Sequence, residues 1–180
     1  MSRKERRQAV IGFLDESNKE INACSVRLWS ETKPTRIINY SLDVVKVSGF
    51  YALNGRSVIR RLVDAMAPSI CKMLEAVREA NPGRPIVMVL DNASNHHSGP
   101  VAEKASELGI RLAFMPPYSP QYNPIEQIWK CVKREISKNF IIDKDEFFWL
   151  IESVFLEKAA SRGYAKSWMK KFLTKKMRNR

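Results

Sequence analysis

Three acidic residues stand where acids can do chemistry. Asp15 directly follows the apolar run Ala9-Val-Ile-Gly-Phe-Leu14, and Asp91 directly follows Pro85-Ile-Val-Met-Val-Leu90. Both runs read as buried strands, and in open α/β sheets sites form beyond the carboxyl ends of strands. If the two strands are parallel neighbours, their carboxylates emerge side by side and repel unless a cation lies between them. Hard oxygen donors select Mg²⁺ or Mn²⁺. Glu126 is the third acid, in the first turn of a helix and off its apolar stripe. Three such carboxylates could hold two metal ions for in-line attack on a phosphodiester. Each also has a plainer reading. Asp91-Asn92 suits a turn, Asp15-Glu16 a strand terminus, and Glu126 the third position of a capping box opened by Asn123. His96 and His97 follow Asp91 in a polar loop, where they either meet substrate or a metal-bound water or stand idle in solvent.

The elements that must position these residues are legible to different degrees. After Asp15 come polar, β-prone stretches over Ala23–Trp29, Thr35–Val47 and Gly49–Leu53, punctuated by Lys33-Pro34 and Asn54-Gly55. They predict a strand meander. Ile59, Leu62, Val63 and Met66 fall at helical spacing, as do Ile70, Met73, Leu74 and Val77, with Pro68 marking a kink or a new start. A second strand over Pro85–Leu90, a helix over Val101–Leu108 closed by Gly109, and a third strand over Ile110–Met115 follow. Four prolines within Pro116–Pro124 make a stiff loop. Asn123 as N-cap and Pro124 as first residue then open a helix with Ile125, Ile128, Trp129, Val132 and Ile136 as its buried stripe. A last helical stretch runs through Phe147, Leu150, Ile151, Val154 and Phe155. A meander followed by strand–helix alternation predicts an α/β fold: a mixed sheet flanked by helices.

Bulk properties bound the function. The chain has 180 residues, 44% of them hydrophobic, which suits one globular domain. Its net charge of +12 points to a polyanionic partner, nucleic acid before an acidic membrane surface. The division expected is a basic segment at 1–8, a catalytic domain at 9–165 and a basic tail at 166–180, the tail carrying seven Lys and Arg and no acid. Cys24, Cys71 and Cys131 are scattered and form no CxxC pair, so neither a zinc cluster nor a disulfide framework is suggested. No apolar run reaches membrane-spanning length and no signal peptide opens the chain, which predicts a cytoplasmic protein with no membrane partner.

Two blocks carry a resemblance. Val89-Leu-Asp-Asn-Ala-Ser-Asn-His96 and Met115-Pro-Pro-Tyr-Ser-Pro-Gln-Tyr-Asn-Pro-Ile-Glu-Gln-Ile-Trp129 closely resemble the second and third signature blocks of DDE transposases, in the prokaryotic insertion-sequence branch of the Tc/mariner superfamily. Asp91 and Glu126 have 34 residues between them, the spacing of that branch, and Phe13-Leu-Asp-Glu16 resembles the first block. The resemblance implies an RNase H-like fold and two divalent ions, Mg²⁺ or Mn²⁺, held by Asp15, Asp91 and Glu126. It implies hydrolysis at transposon ends and transfer of the freed 3′-hydroxyl to target DNA. For Pro117, Tyr118 and Asn123 it implies positioning only. Its partners are DNA ends and target DNA, with a homodimer assembled on DNA and a nucleoid-associated location. Relatives carry an N-terminal helix-turn-helix; here the catalytic block begins near Met1, so such a portion is missing or separately encoded. Ser17-Asn18-Lys19 stands where many relatives have an aromatic. The competing readings are another RNase H-like nuclease and an inactive, truncated or domesticated DNA-binding remnant.

Overall fold

The structure is a computed structural model, and it describes residues 8–21, 31–32, 43–64, 66–141 and 143–172. The β-prone stretch at 23–29, the turn at Lys33-Pro34, most of 35–47, residues 1–7 and residues 173–180 lie outside the described residues.

Among the described residues, five strands form one mixed sheet in the order β3-β2-β1-β4-β5. Strand β1 spans Val10–Glu20, β2 Val44–Ala52, β3 Val58–Arg61, β4 Ile86–Leu90 and β5 Ile110–Phe114. The β1–β2 and β2–β3 pairs are antiparallel, and β1–β4 and β4–β5 are parallel. Helices α1 (Ala67–Ala80) and α2 (Gly99–Glu107) cover one face. Helices α3 (Ile125–Ile136), α4 (Lys144–Ala160) and α5 (Arg162–Phe172) lie on the other side of the sheet. The alternation of β2 divides the core between them. Val45, Val47 and Tyr51 join the α3–α5 side, whereas Phe50 and Ala52 join the α1–α2 side.

Two expectations require correction. Ile59, Leu62, Val63 and Met66 do not lie in a helix. Val58 and Ile59 enter strand β3 against Phe50 and Gly49, Val63 is 94% exposed, and the helix begins only at Ala67 with Pro68 in its first turn. An available strand edge decided the matter: β-branched residues beside a hairpin turn at Asn54-Gly55 pair outward whatever their apolar spacing. Asp15 does not end its strand either. The apolar run ends at Leu14, one residue past the last pairing with β4 at Phe13 against Val89, but antiparallel pairing with β2 carries β1 on to Glu20. Residues 166–172, the start of the expected basic tail, continue helix α5. Helix α5 sets Ala165 in the core and Trp168 edge-on against Phe13, ring centroids 5.2 Å apart.

Gly49 pairs with Asp15 across the β1–β2 ladder, beneath two core aromatics. A Cβ there would lie 2.8 Å from the Phe155 ring and 2.9 Å from the Trp129 indole. Gly49→Ala is therefore expected to cost about 1–3 kcal/mol by overpacking. Urea unfolding checks it, and a change under about 0.5 kcal/mol, the scatter of an ordinary surface substitution, contradicts it.

Candidate active site

The register of the parallel pair brings the first two acids together. Val10 stands opposite Ile86 and Phe13 opposite Val89; continuing that offset sets Asp15 beside Asp91. Glu126 arrives from the start of α3. The helix opens one residue later than expected, with Pro124 at its boundary and no side-chain cap. Asn123 Oδ1 accepts from the Ile125 N–H at 3.4 Å, so the capping box that offered a structural reading of Glu126 is not formed. Asp15, Asp91 and Glu126 line one cleft of about 420 Å³, walled by Met115–Pro120 and Asn123.

Each strand acid is held by a side chain that arrives from a different side of the sheet. Trp129, expected only as core, donates its indole N–H to Asp15 Oδ2 at 2.9 Å. Gly49 leaves the space that the indole needs. Strand parity sends Glu16 to the opposite face from Asp15. There it accepts from Ser48 Oγ at 3.4 Å and meets His96 Nε2 at 3.2 Å. His96 Nδ1 in turn lies 2.9 Å from Asp91 Oδ1, an ion-pair approach too poorly aimed to count as a hydrogen bond. His96 is only 2% exposed, so the solvent-exposed reading of this histidine is overturned. Burial lowers its pKa, but the Glu16 and Asp91 carboxylates outweigh that and leave it raised. His97 instead stacks on Phe114, centroids 4.0 Å apart. Asp91 Oδ1 also accepts from the Ala93 N–H at 3.0 Å.

The electrostatics report crowding of like charge. The Asp15 pKa is raised to about 7, first by burial and then by Glu126, with Glu16 and Asp91 adding to it and the Trp129 bond opposing. Lys19, only 8% exposed, sits 4.5 Å from the centre of the Trp129 ring and donates to Ser17 Oγ at 2.6 Å. Burial lowers its pKa to about 8, while Asp15 and Glu126 work against that shift. Among the described residues, no three His, Cys, Asp or Glu side chains already stand at metal-ligating spacing. Asp15 is turned to Trp129, and Asp91 to His96 and its own turn. The donor set still suits a divalent cation: three hard carboxylates face one cleft, and their mutual repulsion is what a cation relieves.

Sequence reasoning missed Glu16, Lys19, Ser48 and the polar role of Trp129. Running β1 through to Glu20 would have exposed the parity that groups Asp15 with Lys19 and separates Glu16 from both.

Comparison with known proteins agrees with this architecture. The model of the DDE superfamily endonuclease family matches residues 10–148, and the chain belongs to that family. No curated protein matches the chain. Among solved structures, the Mos1 strand transfer complex is similar at TM-score 0.61 and 13% identity, over 89% of this chain and 52% of that one. The Mos1 transposase catalytic domain with raltegravir and Mn is similar at TM-score 0.54 and 13% identity, over 88% of this chain and 82% of that one. The simian T-cell lymphotropic virus intasome in complex with the PP2A regulatory subunit B56 gamma gives TM-score 0.52 and 14% identity, over 81% of this chain and 46% of that one. At such identities the likeness is one of fold, the RNase H-like fold of transposase and integrase catalytic domains. The chain spans about half the length of the Mos1 chain in the strand transfer complex. Among the described residues, no helix is long and apolar enough to cross a membrane.

Proposed function

We propose that this chain is the catalytic domain of a DNA transposase, with Asp15, Asp91 and Glu126 as ligands for two divalent ions, Mg²⁺ or Mn²⁺. The observation that carries the reading is the convergence of these three acids, from two neighbouring strands and one helix, on a single cleft walled by the proline-rich loop. Bound there, divalent ions supply activation of water or a 3′-hydroxyl and stabilisation of the leaving oxygen. The chain's own part is placement. Trp129 fixes one oxygen of Asp15, His96 braces Asp91 against Glu16, and the stiff loop brings Glu126 to both. The substrates are transposon ends and target DNA, to which a chain of net charge +12 is drawn. Joining two ends calls for a dimer on DNA, and end recognition for a separate DNA-binding portion.

The test is strand cleavage with Mn²⁺ on duplexes that carry the element's ends and on scrambled duplexes, with EDTA as control. Metal-dependent cleavage followed by joining of 3′ ends is expected. Cleavage of RNA–DNA hybrids alone would make the chain a different RNase H-like nuclease, and DNA binding without cleavage would make it a non-catalytic remnant.

The bracing of Asp91 has its own consequence. Outer partners of ligating carboxylates are worth about 10–100-fold in metal affinity. His96→Ala is accordingly expected to weaken Mn²⁺ binding by about that factor, read by calorimetry on a variant whose circular dichroism is unchanged. Parental affinity in a folded variant would show that Asp91 needs no brace.

A further inference from the structure

Tyr118 is the feature of the cleft that nothing in the fold explains. It is the only non-glycine among the described residues with positive φ, at +53°. That conformation disfavours a bulky side chain by roughly 1–2 kcal/mol. Its side chain is 100% exposed, so neither core packing nor a buried hydrogen bond offsets the strain. The backbone around it is stiff. Pro116-Pro117 precede it, Pro120 follows, and Ser119 Oγ donates back to the Pro117 carbonyl at 3.1 Å. The strained aromatic lines the same cleft as Asp15, Asp91 and Glu126. A stiff loop thus carries a bare ring on the wall of the cleft that the acids line, and among the described residues nothing rewards that ring.

We infer that Tyr118 stacks on the open face of an unpaired nucleobase next to the phosphate under attack. The inference rests on the proposed transposase function. A DNA strand with a phosphate at the carboxylates carries its base one sugar away. Within a duplex both faces of a base are covered by neighbours, so a ring can reach a face only at an end, a fork or an unstacked step. A phenol ring offers a matching flat surface to any base, and prolines on both sides reduce the freedom lost when it engages.

The test compares binding of the full chain to a blunt duplex and to a forked duplex with three unpaired nucleotides, in Ca²⁺ so that strands stay intact. Wild type is expected to prefer the fork about five- to a hundredfold, the range for one stacked base. Tyr118→Phe keeps the ring and is expected to keep the preference; Tyr118→Ala loses it. Tyr118→Gly also loses it, and its melting temperature is not lowered, because glycine accepts φ +53° without strain. Retention of the preference by the Ala or Gly variant overturns the inference. So does its loss in the Phe variant, which would assign the contact to the hydroxyl. Cleavage in Mn²⁺ is measured in parallel. Wild type that cleaves without preferring the fork overturns the stacking alone; wild type that neither binds nor cleaves overturns the transposase reading and this one together.

Discussion

Asp91→Asn is expected to abolish divalent-dependent DNA cleavage while the domain stays folded. Asp91 sits past the end of β4 on an exposed turn, and its amide isostere can still accept from the Ala93 N–H. Little of the core depends on its charge. The proposed ion site loses one of three negative donors, which should cost more than the ~10–100-fold expected for an outer partner. Cleavage is read on labelled duplex across a Mn²⁺ series, beside thermal unfolding. A variant that cuts like the parent removes Asp91 from the site.

The second large effect has opposite signs with and without metal. In the metal-free protein, burial and then the Glu126, Glu16 and Asp91 charges raise the Asp15 pKa from 3.8 to about 7. A raised carboxylate pKa means that the folded state holds the proton more tightly than the unfolded chain does. Its stabilising contribution is full below pH 3.8 and is lost as pH rises through about 7. Asp15→Asn removes that titration and can still accept from Trp129. With chelator at pH 8 the variant should therefore be more stable than the parent, by on the order of 2–4 kcal/mol, and the gap should close toward pH 4. Added Mn²⁺ should reverse the order, because a ligand that binds only the folded state stabilises it in proportion to its affinity. Parallel melting curves for parent and variant at both pH values, or equal gains with Mn²⁺, would contradict the account.

Legibility in the sequence differed from element to element, and the reasons are physical. Strand β4 is short, parallel to both neighbours and buried, so its apolar run ends where the strand ends, and Asp91 is marked by that edge. Helix α3 announced itself through five apolar residues at helical spacing behind a proline. Strand β1 was harder. Its pairing with β2 outlasts its pairing with β4, so apolar character records only the segment with a neighbour on both sides, and Asp15 looked terminal when it is internal. Ile59 failed for a related reason: four residues pair at a sheet edge, and edge pairing leaves almost no periodic signal. His96 was illegible because a loop histidine between two carboxylates is defined by chain segments 80 and 5 positions away. Only the assembled sheet brings Glu16 and Asp91 to its two nitrogens.

The central claim is that Asp15, Asp91 and Glu126 share divalent ions. Anomalous scattering from a crystal of the full chain grown with Mn²⁺ tests it most directly. The account predicts manganese peaks within the cleft, in contact with oxygens of all three carboxylates, with Asp15 and Asp91 turned in from their metal-free partners as far as needed. Manganese bound elsewhere on the domain, or a cleft still empty at millimolar Mn²⁺ with the three acids ordered, would contradict it.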